Sequence, residues 1–236
     1  MSEIEYVGSE LDLFSAVHNW KSYWSSRIRP FVLGDVLEVG AGIGANTPFL
    51  DRNVDRKQWV CLEPDPQLFA QLRRNLQNAP GARSYDFVCG TLQDIEAERR
   101  FDTIVYIDVL EHIEKDADEL SVASSYLRPG GRIVILSPAH QWLFTPFDAA
   151  IGHFRRYNRS MLRAISSPSL CLERLIYLDS VGLLLSLGNS LLLRQSMPTK
   201  AQLRVWDGLV IPVSRVLDRC LFNSVGKSIV GVWRLL

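Results

Sequence analysis

Three glycines at every second position, Gly40, Gly42 and Gly44, lie in "DVLEVGAGIGANTPFL" between an apolar run and a stretch of helical character. A backbone so poor in side chains turns tightly, lets a ligand approach closely, or does both. The spacing is GxGxG, and Ala45 stands where the dinucleotide pattern GxGxxG has its last glycine, a place that tolerates alanine. A bare turn, a dinucleotide and a nucleoside without pyrophosphate each account for such a loop. Glu63 ends the next apolar run, in "CLEPD", where a carboxylate can accept both hydroxyls of a ribose. That carboxylate is equally expected for a dinucleotide and for any adenosine ligand. Glu38, in "EVGAGIG", leans against the dinucleotide, because a carboxylate there repels a pyrophosphate. It suits a cationic ligand, or a role in holding the loop.

Groups able to move protons come later in the chain. "YIDVLEHIEKDADEL" brings Asp108 and Glu111 to the end of another apolar run. The four histidines are His18, His112, His140 and His153. His18 falls in an N-terminal helical stretch and reads as structural, and His112 reads as a helix-start residue near a pocket. His140, in "SPAHQWLF", follows a strand end, and His153, in "DAAIGHFRRYN", neighbours Asp148, Arg155, Arg156 and Tyr157. His140 and His153 are the expected general-base candidates. The arginine pair could hold a carboxylate, phosphate or sugar, against the plainer reading of a capped loop with a solvated basic edge. Cys61, Cys89, Cys171 and Cys220 are scattered and form neither a CxxC pair nor a Cys/His cluster. Neither a disulfide framework nor a metal site is therefore expected, and a reducing, cytoplasmic setting fits.

These groups need a scaffold that brings strand ends together. Short apolar runs at 35–40, 59–63, 84–89, 101–108 and 131–137 alternate with helical stretches near 44–52, 66–78, 114–127 and 158–166. Continuous apolar strands alternating with helices predict a mainly parallel sheet covered on both faces. Such a sheet binds ligands outside its carboxyl strand ends, which is where the glycines and acids fall. Residues 171–180 read as a sixth strand and 226–236 as a seventh, antiparallel to it. Residues 180–223 between them read as an apolar helical insert broken at Gly188, Pro198 and Pro212, lying over the pocket as a lid. Residues 10–29 read as one amphipathic helix.

The ordered motifs resemble those of class I S-adenosylmethionine-dependent methyltransferases of the small-molecule type. "VLEVGAGIGANT" is similar to their first motif and "CLEPD" to their acidic second-strand end. "CGTLQDI" resembles their adenine-contacting loop, "DVLEHI" their strand-four motif and "LRPGGRIVILSP" the segment entering strand five. The resemblance implies an α/β, Rossmann-like, doubly wound sheet of seven strands whose last strand is antiparallel, with S-adenosylmethionine as cofactor. It implies that Glu38, Gly40, Gly42 and Gly44 shape the loop around the methionine part, and that Glu63 binds the ribose, with Pro64 and Asp65 beside the adenine. Thr91 and Leu92 would flank the adenine, and Asp108 and Val109 would approach the methyl-donor region. Many relatives have an aspartate where this chain has Thr91. Tyr23 or Trp24 of the leading helix would fold over the cofactor. A nicotinamide-dependent oxidoreductase and a non-catalytic cofactor-binding scaffold are the competing readings.

One domain over 1–236 is expected: a helical cap at 1–30, a cofactor-binding core at 31–179, the insert at 180–223 and the last strand at 224–236. Lysine plus arginine equals aspartate plus glutamate at 26 each, so nothing in the net charge favours nucleic acid. The expected partner is a small-molecule acceptor, hydrophobic or linked to lipid or sugar. The run 181–193 falls short of the roughly 20 residues that span a bilayer. Leu183–Leu185 and Leu191–Leu193 suit a peripheral membrane contact, a homodimer face or the core of the fold.

Overall fold

The computed structural model describes residues 10–52, 58–78, 84–188 and 199–236. Its strands are β1 (Val36–Val39), β2 (Trp59–Glu63), β3 (Asp86–Cys89), β4 (Phe101–Ile107), β5 (Leu127–Pro138), β6 (Leu170–Leu178) and β7 (Ser228–Leu235). They form one sheet in the order β3-β2-β1-β4-β5-β7-β6, with β7 antiparallel to both of its neighbours. The mainly parallel sheet is the one the alternating runs predict, and its Rossmann-like, doubly wound form with an antiparallel last strand is the one the motif resemblance implies.

Every residue of β1 and β2 is buried, as a strand covered on both faces requires. Side chains alternate between two apolar layers. Leu37, Val39, Leu62, Ile104, Tyr106, Ile133 and Ile135 face one layer. Val36, Trp59, Cys61, Val105, Ile107 and Val134 face the other, with Trp24 and Ile28 packed on them. β1 pairs in parallel with β2 on one side and β4 on the other, so the winding reverses there and a crevice opens beyond their carboxyl ends.

The expected helix over 10–29 is two helices, α1 (Glu10–Ser15) and α2 (Asn19–Ile28). α2 starts afresh because Asp207, far away in the insert, accepts the N–H groups of His18, Asn19 and Trp20 at 3.1, 3.1 and 2.8 Å. A carboxylate at a helix start satisfies orphan donors and complements the dipole. Around the sheet lie α3 (Thr47–Leu50), α4 (Pro66–Gln77), α5 (Asp116–Ser125), α6 (Pro146–Ala150) and α7 (Arg159–Ala164).

The insert contains α8 (Ser180–Gly188), α9 (Lys200–Val205) and α10 (Ile211–Cys220), and residues 206–210 join the last two as a π-helical turn. Pro212 therefore does not break the helix. The Ile211 N–H reaches back to the Trp206 carbonyl, an i→i−5 bond that widens the turn just ahead of the proline. Pro198 and Leu191–Leu193 lie outside the described residues.

Cap and insert are tied to the sheet by Asp218, which is fully buried on α10. Its carboxylate accepts the N–H groups of Asp179 and Ser180 at 2.7 and 3.0 Å and the Tyr23 hydroxyl at 2.7 Å. Asp179, at the end of β6, in turn accepts the Ser214 hydroxyl at 2.6 Å and the Trp206 indole N–H at 2.9 Å. Removing one such acceptor strands several buried donors, each costing about 1–3 kcal/mol. Asp218→Ala is expected to lower unfolding free energy in urea by about 3 kcal/mol. A loss below about 0.5 kcal/mol would show that the network does not hold the cap.

Candidate functional site

The crevice beyond β1 and β4 is a cavity of about 760 Å³. One half is built from the glycine loop and the ends of β2, β3 and β4; Gly40, Gly42, Glu63, Pro64, Thr91, Leu92, Asp108 and Val109 all line it. Gly40 has φ +65° and packs so tightly that a Cβ would meet Val109 at 2.7 Å. Gly42 has φ +56°, and a Cβ there would meet nothing nearer than Leu11 at 3.9 Å, so this glycine leaves room on the cavity side. Glu63 holds the turn. Its Oε2 accepts the Gly42 N–H at 2.7 Å and its Oε1 accepts the Asp65 N–H at 3.0 Å. Each oxygen keeps a lone pair for a ribose hydroxyl. Burial raises the Glu63 pKa, and the two backbone donors oppose that rise. These features fit an adenosine ligand: a side-chain-free cradle next to a buried carboxylate with acceptor capacity to spare.

Thr91 explains its own departure from the family pattern. Its N–H and hydroxyl both reach the Asp94 carboxylate, at 2.8 and 3.1 Å, so an acid three residues on organises this loop. Two expected residues do not line the cavity. Gly44 packs beneath the loop, where a Cβ would meet Leu72 at 2.9 Å. Glu38 is buried on the opposite layer of the sheet, accepting the Trp59 indole N–H at 2.9 Å. Burial pushes the Glu38 carboxyl up to about 7, against the pull of the Trp59 donor. Strand alternation decides this: Leu37 and Val39 face one layer, so Glu38 faces the other and braces β1 against β2.

Lys21 of α2 is a site residue that motif reading missed. It lines the cavity beside the glycine loop, and its ammonium donates to the Ser15 and Ala45 carbonyls at 3.1 and 3.2 Å. Burial pulls its pKa down to about 8, while Asp108 and Asp207 resist the shift. Trp24 also lines the cavity; Tyr23 instead bonds Asp218. The signal was present in sequence as a lone lysine inside an aromatic stripe, "NWKSYW". Asp108 opens onto the cavity from a backbone with φ +54°, and its pKa is raised by the surrounding protein, against the pull of His153 and Lys21.

The other half of the cavity is walled by Phe14, Phe147, Ile151, Phe154 and Trp206, with His112, His153, Arg156 and Lys227 among them. His153 is fixed through Nδ1 by Asp148 at 3.1 Å, and its ring meets His112 edge to face at 4.5 Å. Asp148 also takes Arg156 in a two-point pair at 2.9 and 3.0 Å. Burial works to raise the Asp148 pKa, but His153, Arg156 and Thr145 together hold it well below the usual carboxylate range. Lys227 lies 5.6 Å over the Trp206 ring, and burial lowers its pKa.

His140 does not join this group. Its backbone has φ +69°, its ring stacks on Tyr177 at 4.9 Å, and Nε2 is within hydrogen-bond distance of the Gly226 carbonyl at 3.0 Å. The turn after β5 thus sends the imidazole toward the β6–β7 connection, and it does not line the cavity. Nor is the arginine pair open to a ligand as a pair. Arg155 meets Asp116 at 2.5 Å and the Ile113 carbonyl at 3.1 Å, while Arg156 is spent on Asp148.

The fold assembles one set of groups that no spacing announces. Ligand atoms of Glu111, His112 and His153 lie within 4.8 Å of one another, a set able to hold a divalent cation. Glu111 is fully buried; Oε2 accepts the Ser137 hydroxyl at 3.0 Å, and Oε1 has no partner among the described residues. Burial first, and Asp108 second, hold the Glu111 carboxyl well above its ordinary range. Burial pulls His112 down to about 4, helped by His153. His112 is therefore neutral at neutral pH.

Residues 37–133 match a family described as "Methyltransferase domain". A ubiquinone biosynthesis O-methyltransferase from Bradyrhizobium sp. is 26% identical over 108 residues, 45% of this chain and 41% of that protein. A mitochondrial protein of the same name from Dictyostelium discoideum is 26% identical over 130 residues, 50% of this chain and 39% of its own. The chain thus spans about two fifths of the length of the curated relatives it matches. The N-methyltransferase NodS of Bradyrhizobium japonicum, solved with S-adenosyl-l-homocysteine, superposes with a TM-score of 0.59 at 14% identity, covering 97% of this chain and 92% of that one. A S-adenosylmethionine-dependent methyltransferase from Clostridium acetobutylicum gives 0.60 at 11% identity, covering 96% and 95%. Residues 37–133 thus resemble a methyltransferase domain, and the fold is the one shared by these solved S-adenosylmethionine-dependent methyltransferases.

Proposed function

We propose that the chain methylates a hydroxyl group on a small, flat, apolar acceptor, with His153 as the base. The observation that carries this reading is a single cavity with the Glu63 cradle at one end and a carboxylate-oriented histidine at the other. The bound cofactor would supply a sulfonium-activated methyl group for in-line displacement. Glu63 and the glycine loop hold the nucleoside, and Lys21 offers a cation beside the loop for the carboxylate of the methionine part. The apolar wall of Phe14, Phe147, Phe154 and Trp206 seats the acceptor and excludes water, which strengthens the local electrostatics. A hydroxyl must lose its proton as it attacks, which an amine need not do beforehand, and Asp148 holds His153 through Nδ1 so that Nε2 is left to take it. The relatives named as O-methyltransferases support the same choice.

Calorimetry with S-adenosylhomocysteine tests the cradle. Glu63→Gln keeps the volume but loses one acceptor and the charge, and affinity is expected to drop at least about tenfold; an unchanged affinity would remove Glu63 from the ribose site.

The same titration run against pH tests Lys21. Its ammonium is charged below about 8, so binding of the amino-acid carboxylate is expected to weaken as pH rises from 7 to 9. Lys21→Met is expected to bind roughly tenfold more weakly at pH 7 and to show no further loss on that rise. A pH-independent wild type would discard the contact.

Transfer of radiolabelled methyl groups to a panel of phenols and catechols, beside matched amines, tests the base. Phenolic products are expected. His153→Ala is expected to slow turnover by about 10²–10⁴ while leaving S-adenosylhomocysteine affinity in place. Labelled amines with no labelled phenols, or full turnover by the variant, would overturn the assignment.

A further inference from the structure

The inward face of the helical run from α9 to α10 mixes apolar Leu203 and Ile211 with Ser214 and Asp218, which are fully buried in the network around Asp179. Val213, Val216, Leu217 and Cys220, at i, i+3, i+4 and i+7, share a face turned away from it. Val213, Val216 and Leu217 are 51%, 62% and 41% exposed, and Leu209, one turn earlier, is 67% exposed. α8 packs against α10 and adds Leu184 and Leu185, both more than half exposed. Phe222, just past α10, is 89% exposed. An exposed face this apolar, on a helix whose sequence had polar residues available to place there, marks an interaction surface.

Charge selects its occupant. Every exposed charged side chain among the described residues of 180–223 is basic: Lys200, Arg204, Arg215 and Arg219. None of the four has an acidic partner among the described residues. The two acids of that segment are both used inward, Asp207 as the cap of α2 and Asp218 in the buried network. Among the described residues the segment thus carries four exposed cations without an acidic partner, Lys200 and Arg204 on α9 and Arg215 and Arg219 one turn apart on α10. Apolar side chains that enter the acyl boundary, bordered by cations at headgroup height, are the composition of an interfacial helix. A second copy of the chain would bring four cations against four.

We propose that the α8–α10 face docks on an anionic lipid bilayer surface. Leu184, Leu185, Leu209, Val213, Val216 and Phe222 enter the headgroup boundary, and the four basic side chains meet lipid phosphates. No described helix is long and apolar enough to cross a membrane, so the contact is peripheral. The inner side of the same run bears Trp206 on the cavity wall, which puts the bilayer next to the acceptor half of the site.

Co-sedimentation with phosphatidylcholine vesicles, with and without phosphatidylglycerol, tests this on the full chain. Binding is expected only with the anionic lipid and is expected to fade as salt is raised. Arg215→Gln with Arg219→Gln is expected to lower partitioning roughly thirtyfold, from the usual worth of two basic residues near such a surface. Val213→Asp with Val216→Asp is expected to abolish it. Both pairs lie on the exposed surface, so urea stability and S-adenosylhomocysteine affinity serve as controls for folding. Absence of binding to anionic vesicles, binding that survives both pairs of changes, or a dimer by light scattering that the Val213/Val216 changes dissociate without any vesicle binding would each overturn the proposal. Because it is read from vesicles and not from methyl transfer, its failure leaves the proposed activity standing, and the reverse holds as well.

Discussion

A carboxylate taken out of water must be given donors or a counter-charge, since an unpaired one costs far more than folding can spare. This chain meets that constraint repeatedly, at the places where separate segments join. Glu63 ties β2 to the glycine loop, Asp148 ties α6 to the "GHFRRY" segment, and Asp116 ties α5 to Tyr157 and Arg155. Asp218 and Asp179 tie the insert to the cap and to the end of β6, and Asp207 starts α2. Of these acids, Glu63 and Asp148 line the cavity itself.

The two halves of the site differ in kind. The cofactor half sits on parallel strand ends whose positions the sheet dictates, so small residues and one acid are enough to shape it. The acceptor half comes from connections: the segment after β5, the π-helical turn of the insert and the turn into β7. Its shape depends on how the cap and insert meet at Trp206, whose ring lies 6.5 Å from that of Phe14 and 5.8 Å from that of Trp20.

That difference decides what could be read from sequence. The parallel strands, the glycine turn and the strand-end places of Glu63 and Asp108 follow from hydrophobic runs and strand-end chemistry, and the places of Thr91, Leu92 and Val109 from the motif resemblance; all of these residues line the same cavity. Glu38 was legible as important but not as a brace, because β1 is buried on both faces and its alternation cannot be told from residue type. His140 and His153 looked alike in sequence; a single left-handed residue after β5 turned one of them away. Lys21 leaves only a faint trace, a lone lysine in an aromatic stripe, while Lys227 and the meeting of Glu111, His112 and His153 leave none, since each depends on contacts between distant segments. The break within 10–29 belongs to the same class: its cause is Asp207, an acid nearly the whole chain away.

The position of β7 has a kinetic consequence. β7 lies between β5 and β6, yet its residues follow all the other described elements, so β6 has no neighbour to pair with until they arrive. On the ribosome, β1 to β5 can close their parallel ladder and the nucleoside cradle while β6 still waits as an unpaired edge. Non-local pairings of this sort are slow to form and leave sticky edges exposed meanwhile. On the proposed reading, the cofactor half of the cavity can therefore form before the acceptor half is complete.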